Sequence, residues 1–310
     1  MQDNKQIPLV VAFTSNYFIP AATCLFSVLK NSRIEDKFHV ICLLKEYLPF
    51  DFRQHLQLLM TGRGTLTFLN MGGKLDHIDV NEKYTEAAYY RLLLPDILVE
   101  YDKILYIDCD MIIRQNLADL YRETVLQDDY LAGVAEATLV SQHVHLDSLG
   151  LAYGRYINSG FLLMNLRKMR EDNIVPQFIR LLKANTFEFP DQDVLNVVCK
   201  DHIKYLSPWY NGIRTFFIPK YKHDFLDYYS AADLKKVLDE GNIHYTGGKP
   251  WDRFTVAFNV WWSYYVQLPD IIKKTYPMKR KLYFFYLFYK TRLGNWIVEE
   301  IRTMYRVIKN

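Results

Sequence analysis

Cysteine is scarce in this chain. Its four residues, Cys24, Cys42, Cys109 and Cys199, are scattered through apolar surroundings with no CxxC spacing. They read as reduced, buried thiols of a cytoplasmic protein. No basic-then-apolar leader opens the sequence, and no run of about 18 uninterrupted apolar residues offers a membrane span. Internal repeats and low-complexity linkers are missing. So is the glycine-rich, lysine-containing N-terminal loop of triphosphate binders. What is there is 310 residues, 50% hydrophobic, enough for a large core built as one big domain or as one plus an appendage. The 24 Tyr and 19 Phe suit a sugar or membrane binder and decide neither.

A net charge of +3 conceals an asymmetry. Eight of the 38 basic residues fall from Lys279 onward, against two of the 35 acids, Glu299 and Glu300. The body is mildly acidic and the tail strongly basic.

The most informative segment is YDKILYIDCDMIIRQNLADLY, residues 101–121. The run Ile104 to Ile107 predicts a buried strand, with Asp108 and Asp110 at its end and Cys109 between them. In extended chain, residues two apart point to the same side, so both carboxylates can face one point. Hard divalent cations need such oxygen ligands. Asp-x-Asp also arises by chance, but strand ends of α/β proteins are where ligands gather.

Around it the pattern alternates between strand and helix. Strands are expected at Leu9–Phe13, Phe38–Leu44, Thr65–Leu69, Leu131–Ala135, Gly160–Asn165, Lys204–Leu206 and Asn242–Tyr245. Helices are expected from Pro20 to about Lys30, at 51–60, Tyr84–Leu94, 166–184 and 191–199. This order predicts an α/β fold with a mostly parallel, doubly wound sheet. Residues 207–231, rich in Tyr, Phe and Pro without clear periodicity, read as a loop or lid over a site.

Four further clusters carry polar chemistry. In NIHYTGGKPWD, the paired glycines allow close backbone approach and Lys249 supplies a charge suited to phosphate, although the spacing is not that of a Walker loop. The plainer reading is an ordinary turn, with His244 structural. An imidazole joining two carboxylates favours Mn²⁺ over Ca²⁺, with Mg²⁺ able to substitute. Asp191 and Gln192 read either as a helix N-cap region or as hydroxyl binders. Asn158 reads as a turn residue or a ligand hydrogen bonder. Arg91, inside AAYYRLLLP, reads as a surface or ion-paired residue, or as a counterweight to the carboxylates.

Taken in order, YYRL, YIDCDMII, YINSGFLLMNL, DQDVLN and HYTGGKPW resemble the family-8 retaining glycosyltransferases over roughly residues 7–255. These are GT-A-fold enzymes, Rossmann-like in their sheet, and include bacterial lipopolysaccharide α-galactosyl- and α-glucosyltransferases and glycogenin. The resemblance implies a UDP-galactose or UDP-glucose donor, Mn²⁺ or Mg²⁺, a saccharide, glycolipid or glycoprotein acceptor, and no nucleic acid. It implies Asp108, Asp110 and His244 as metal ligands and Gly247 and Lys249 as the diphosphate turn. It places Arg91, Asn158, Asp191 and Gln192 on the donor hexose, and Cys109 beside the donor between the two acids. Ala12, Thr14 and Tyr17 would hold uridine, with Tyr17 stacking on the base. Two departures stand out: the acid often found at the Thr14 position is missing, and HYTGGKPW is one residue shorter than in the best-known bacterial members.

Retention normally suggests a carboxylate nucleophile. The matching position is Gln192, a poor nucleophile, so the expectation is front-face return, with Asp191 beside it and Asp193 as the covalent alternative. A C-terminal division is expected, residues 1–265 forming the transferase domain and 266–310 a tail. Leu282, Phe285, Tyr289, Leu293 and Trp296, then Ile297, Ile301, Met304 and Ile308, recur at helical spacing among basic residues. They read as a core-packing helix or, preferably, as an anchor on anionic lipid at the inner face of the cytoplasmic membrane. A metal-dependent nucleotidyltransferase and a non-catalytic sugar-binding membrane protein are the competing classes.

Overall fold

The computed structural model describes residues 6–76, 85–275 and 278–309. Seven strands form the main sheet: β1 Gln6–Ala12, β2 Lys37–Leu44, β3 Gly64–Asn70, β4 Lys103–Ile107, β6 Leu131–Ala135, β7 Ile157–Asn165 and β8 Ile203–Tyr205. Two-residue strands β5 Met111–Ile112, β9 Gly212–Ile213 and β10 Ile243–His244 make a second, small sheet. The main order is β3-β2-β1-β4-β7-β6-β8. The sheet is mostly parallel, as the alternating pattern predicts. β7 is the exception, antiparallel to both β4 and β6.

Period-two alternation gives the sheet two buried faces. Leu9, Val11, Leu105 and Ile107 pack with the helices Phe18–Lys30 and Phe258–Tyr265. Val10, Ile104 and Tyr106 pack on the other face, with the helices Leu166–Glu171, Val175–Ala184 and Pro190–Cys199. β7 is buried along its whole length, which suits its central place and the apolar run Phe161–Met164.

Some expected helices are broken. The helix expected over 166–184 divides because Asn173 takes φ 52 and Pro176 opens the second piece; asparagine tolerates that left-handed conformation better than most residues. The stretch expected as one helix to Leu94 runs as a short α-helix Glu86–Tyr89, a 3-10 turn Tyr90–Leu93 and a further turn opened by Pro95; Tyr84 lies outside the described residues. Residues 207–231, expected as a loop or lid, carry short regular elements. They fold as β9, 3-10 turns and the helix Lys222–Leu226, with Ile213, Phe216 and Phe225 sharing a core with Leu234 and Val237.

The C-terminal helices Asp270–Thr275, Arg280–Lys290 and Arg292–Lys309 follow. Ile272, Tyr286, Tyr289 and Val298 are buried in the same cluster as Leu9 and Trp262, and Leu282 and Phe285 pack against it. Leu282, Phe285 and Tyr289 of the expected lipid-facing stripe therefore face the core instead. The side chains of Met304 and Ile308 lie outside the described ones. No helix among the described residues is long and apolar enough to cross a membrane. All four cysteines are free and buried.

Candidate active site

β4 delivers Asp108 to the edge of the sheet, where its backbone N–H donates to Gly160 O at 2.8 Å and so extends the β4–β7 pairing by one step. The chain then turns back as β5, which pairs antiparallel with β10 so that Met111 faces His244. That return brings His244 beside both acids. Its Nε2 lies 3.2 Å from Asp110 Oδ1 and 3.7 Å from Asp108 Oδ2. Its other nitrogen, Nδ1, sits 3.1 Å from Asn211 Oδ1. Asn211 Oδ1 can only accept, which places a ring proton on Nδ1 and leaves Nε2 as the nitrogen that would ligate a metal.

Ligand atoms of Asp108, Asp110 and His244 all lie within 4.8 Å of one another, and these three side chains could hold a metal ion. Two observations support the fit. Two carboxylates and one imidazole nitrogen converge on one point, a donor set that suits a divalent cation. And Gly160 is required for them to meet: a Cβ there would stand 2.2 Å from His244 Cε1 and 2.7 Å from Asp108 Oδ2.

Charge around the acids is balanced by two cations. Arg91 is 3% exposed, its guanidinium over the Tyr106 ring at 4.4 Å. Nη2 donates to Asp108 Oδ1 at 2.8 Å, and Nε lies 3.3 Å from Asp191 Oδ2. Burial alone would lower this guanidinium; Asp108, Tyr106 and Asp191 outweigh it. The Asp191 carboxyl is raised, since burial exceeds what Arg91 and Ser159 return. Lys249 donates to Asp110 Oδ2 and to Tyr245 O. Burial would raise Asp110, yet His244 and the Lys249 ammonium hold it below the usual carboxylate range.

A cavity of about 340 Å³ opens over this group, bordered by Ala12, Thr14, Tyr17, Arg91, Asp108 and Lys249. Cys109 and Asp110 also border it, although the Cys109 side chain belongs to the core. Tyr17 stands edge-on to Trp251, ring centroids 5.6 Å apart. Asn158 and Gln192 are tied together by hydrogen bonds: Gln192 Oε1 accepts from Asn158 Nδ2 and from the Ser159 N–H, both at 3.0 Å. Asp191 accepts from Ser159 Oγ at 2.8 Å and caps no helix end. Asp193 is engaged elsewhere. It is fully buried, with Oδ1 taking the Tyr156 hydroxyl and His145 Nε2, and Oδ2 taking the Phe189 N–H at 2.9 Å.

Glu136, which no motif announces, joins the Asn158–Gln192 network: its Oε1 accepts from Asn158 Nδ2 at 3.1 Å and Gln192 Nε2 at 3.2 Å. It immediately follows β6, and the strand-end rule that selects Asp108 selects it equally. Asn211 had no signal, lying in an aromatic-rich stretch without periodicity.

The sequence model of the family described as glycosyl transferase family 8 matches residues 8–255. The chain belongs to this family. Within family 8, it is 28% identical over 255 residues to lipopolysaccharide 1,2-glucosyltransferase of Escherichia coli, covering 76% of this chain and 70% of that one. It is 29% identical over 250 residues to glycosyltransferase GlyE of Streptococcus pneumoniae, covering 75% of this chain and 54% of GlyE. Among solved structures, the galactosyltransferase LgtC superposes with a TM-score of 0.69 at 23% identity, over 84% of this chain and 96% of LgtC. The bifunctional glycosyltransferase WbbM gives 0.74 at 21%, over 88% of this chain and 52% of WbbM. The chain thus spans about half the length of GlyE and of WbbM. The family-8 chain has the GT-A fold and is a glycosyltransferase.

Proposed function

We propose that this enzyme moves a hexose, galactose or glucose, from UDP-hexose to a saccharide or glycoconjugate acceptor with retention at the anomeric carbon. The observation that carries the reading is the meeting of Asp108, Asp110 and His244 beside a cavity that the two acids and Lys249 border. Asp108, Asp110 and His244 would hold Mn²⁺ or Mg²⁺, and a bound ion supplies Lewis-acid stabilisation of a diphosphate leaving group. Relatives named glucosyltransferases and a galactosyltransferase support a hexose.

The protein's own groups divide the work. Ala12, Thr14 and Tyr17 bind the nucleoside end. Lys249 and the Gly247 backbone hold the diphosphate, and Lys249 adds positive charge where negative charge grows. Arg91 fixes Asp108 and Asp191, and Asp191, Asn158 and Gln192 orient the sugar hydroxyls. Asp193 already accepts three hydrogen bonds, which supports the front-face route. The anomeric carbon–oxygen bond breaks with its electron pair going to the β-phosphate. The acceptor oxygen bonds to that carbon from the same side, and its proton passes to a phosphate oxygen.

The acceptor reading draws on the names of the lipopolysaccharide transferases and on the tail. Phe284, Leu287, Phe288, Leu293 and Trp296 are exposed beside Arg280, Lys281, Lys290 and Arg292. Aromatic and basic residues mixed on one surface suit an anionic bilayer, so a peripheral position on the inner face of the cytoplasmic membrane is the proposed location. The test is a screen of UDP-sugars for metal-dependent UDP release. UDP release from UDP-galactose or UDP-glucose that stops with chelator is expected; UDP binding indifferent to chelator, with full turnover after alanine at either acid, sinks the proposal.

A further inference from the structure

β9 and β10 pair in parallel, with Ile213 opposite His244. Both chains leave the small sheet together, so Arg214 departs beside the turn Thr246–Lys249. Its backbone N–H donates to Thr246 Oγ1 at 3.2 Å. Its side chain lies across Gly247: a Cβ on that glycine would stand 2.8 Å from Arg214 Cδ and 3.4 Å from Nε. Gly247 does not have the left-handed backbone that would by itself require glycine. A side chain at this position would have to displace the arginine.

Two other cations flank the turn, and both are balanced. Arg253 lies over Gly248 with its guanidinium 3.4 Å from Asp252 Oδ2. Lys249 is paired with Asp110. Arg214 is exposed and makes no ion pair among the described residues. A guanidinium without a counter-ion, held against the backbone of a turn suited to phosphate, presents a planar fork that matches phosphate oxygens in pairs.

We infer that Arg214 is a second cationic ligand of the donor diphosphate, engaging the β-phosphate across Gly247. The inference rests on the UDP-hexose reading. As the sugar leaves, the β-phosphate gains negative charge, so this contact strengthens during the reaction and favours departure.

The test compares the wild type with Arg214→Met, which keeps methylenes over Gly247 and removes the charge, and with Arg214→Lys. Calorimetric titrations with UDP, UMP and uridine in Mn²⁺ buffer read the effect. Arg214→Met should weaken UDP about tenfold and UMP less than about threefold, leaving uridine unchanged, and lysine should restore part of the loss. Gly247→Ala should weaken UDP in the wild type and add little on top of Arg214→Met, because both changes remove one contact. UDP affinity unchanged by Arg214→Met, or an equal loss for all three ligands, overturns the role of Arg214 while leaving the donor reading intact. A wild type that binds none of the three overturns the donor reading, and this inference with it.

Discussion

Arg91 joins Asp108 to Asp191, its Nη2 2.8 Å from one carboxylate and its Nε 3.3 Å from the other. The guanidinium is 4% exposed at its side chain and Asp191 7%, so the pair sits away from water. Removing one partner of a buried pair leaves the other charge uncompensated. Arg91→Met should therefore destabilise the fold by about 3–5 kcal/mol. Asp191→Asn in the same chain should recover part of that. Urea unfolding of the three variants checks it, and a fully additive double variant would show that the two residues act separately.

Gly160 sits where a methyl group would collide with His244 and Asp108. Gly160→Ala should push these ligands apart and weaken Mn²⁺ binding by about 10–100-fold, the range seen when the groups that orient metal ligands are lost. Calorimetric titration with Mn²⁺ alone reads this without any substrate. Unchanged affinity would mean that the three side chains do not share an ion.

Asp193 has both carboxylate oxygens committed to Tyr156, His145 and the Phe189 N–H. Asp193→Asn turns an acceptor into a group with N–H bonds facing donors. It should cost about 2–4 kcal/mol of stability through unpaired buried groups. Tyr156→Phe removes one donor and should cost about 1–2 kcal/mol. A mass-spectrometric search for glycosyl-enzyme in Gln192→Glu separates the two routes to retention. An adduct on Asp193 would overturn the front-face mechanism.

The order of strands and their apolar runs were legible because a buried parallel sheet writes itself as short hydrophobic stretches between helices. Asp108, Asp110 and Gln192 were legible because they follow a strand or open a helix, and Lys249 because it closes a paired-glycine turn. The direction of β7 was not, since FLLMNL reads the same either way and only its partners decide. Asn211 and Arg214 depend on β9, two residues whose pairing with β10 no local pattern announces. The Asn173 break was hidden inside a helical period, and the left-handed tolerance of asparagine explains it only afterwards.

Asp36 is fully buried and gives a pH dependence of known sign. Burial would raise its carboxyl, but the Arg122 guanidinium, the Arg33 N–H and Asn116 outweigh this and lower it. A carboxyl lowered in the folded state stabilises above its unfolded value, about 3.9, and loses that contribution as pH falls through the lower folded value. Asp36→Asn should cost about 1–2 kcal/mol at pH 7, a figure kept small because Arg122 is half exposed. The gap from wild type should narrow as pH falls below the unfolded value of about 3.9. Urea unfolding at pH 7 and pH 3 tests this, and a gap independent of pH would contradict it.

The tail can be tested without deleting it. Its helices cover Trp262 and Phe258 through Tyr286 and Phe285, so truncation would uncover the core along with any membrane surface. Substitution of exposed residues separates the two effects. Phe284 (64% exposed), Leu287, Phe288 and Trp296 (61%) face outward and contribute little to folding. Changing these four to Gln should leave the unfolding midpoint nearly unchanged and reduce co-sedimentation with phosphatidylglycerol-rich vesicles by more than about tenfold. Raising salt should weaken the wild type's binding, because Arg280, Lys281, Lys290 and Arg292 act on the lipid charge at short range. Equal sedimentation of variant and wild type would leave the outward aromatic face without a bilayer to explain it.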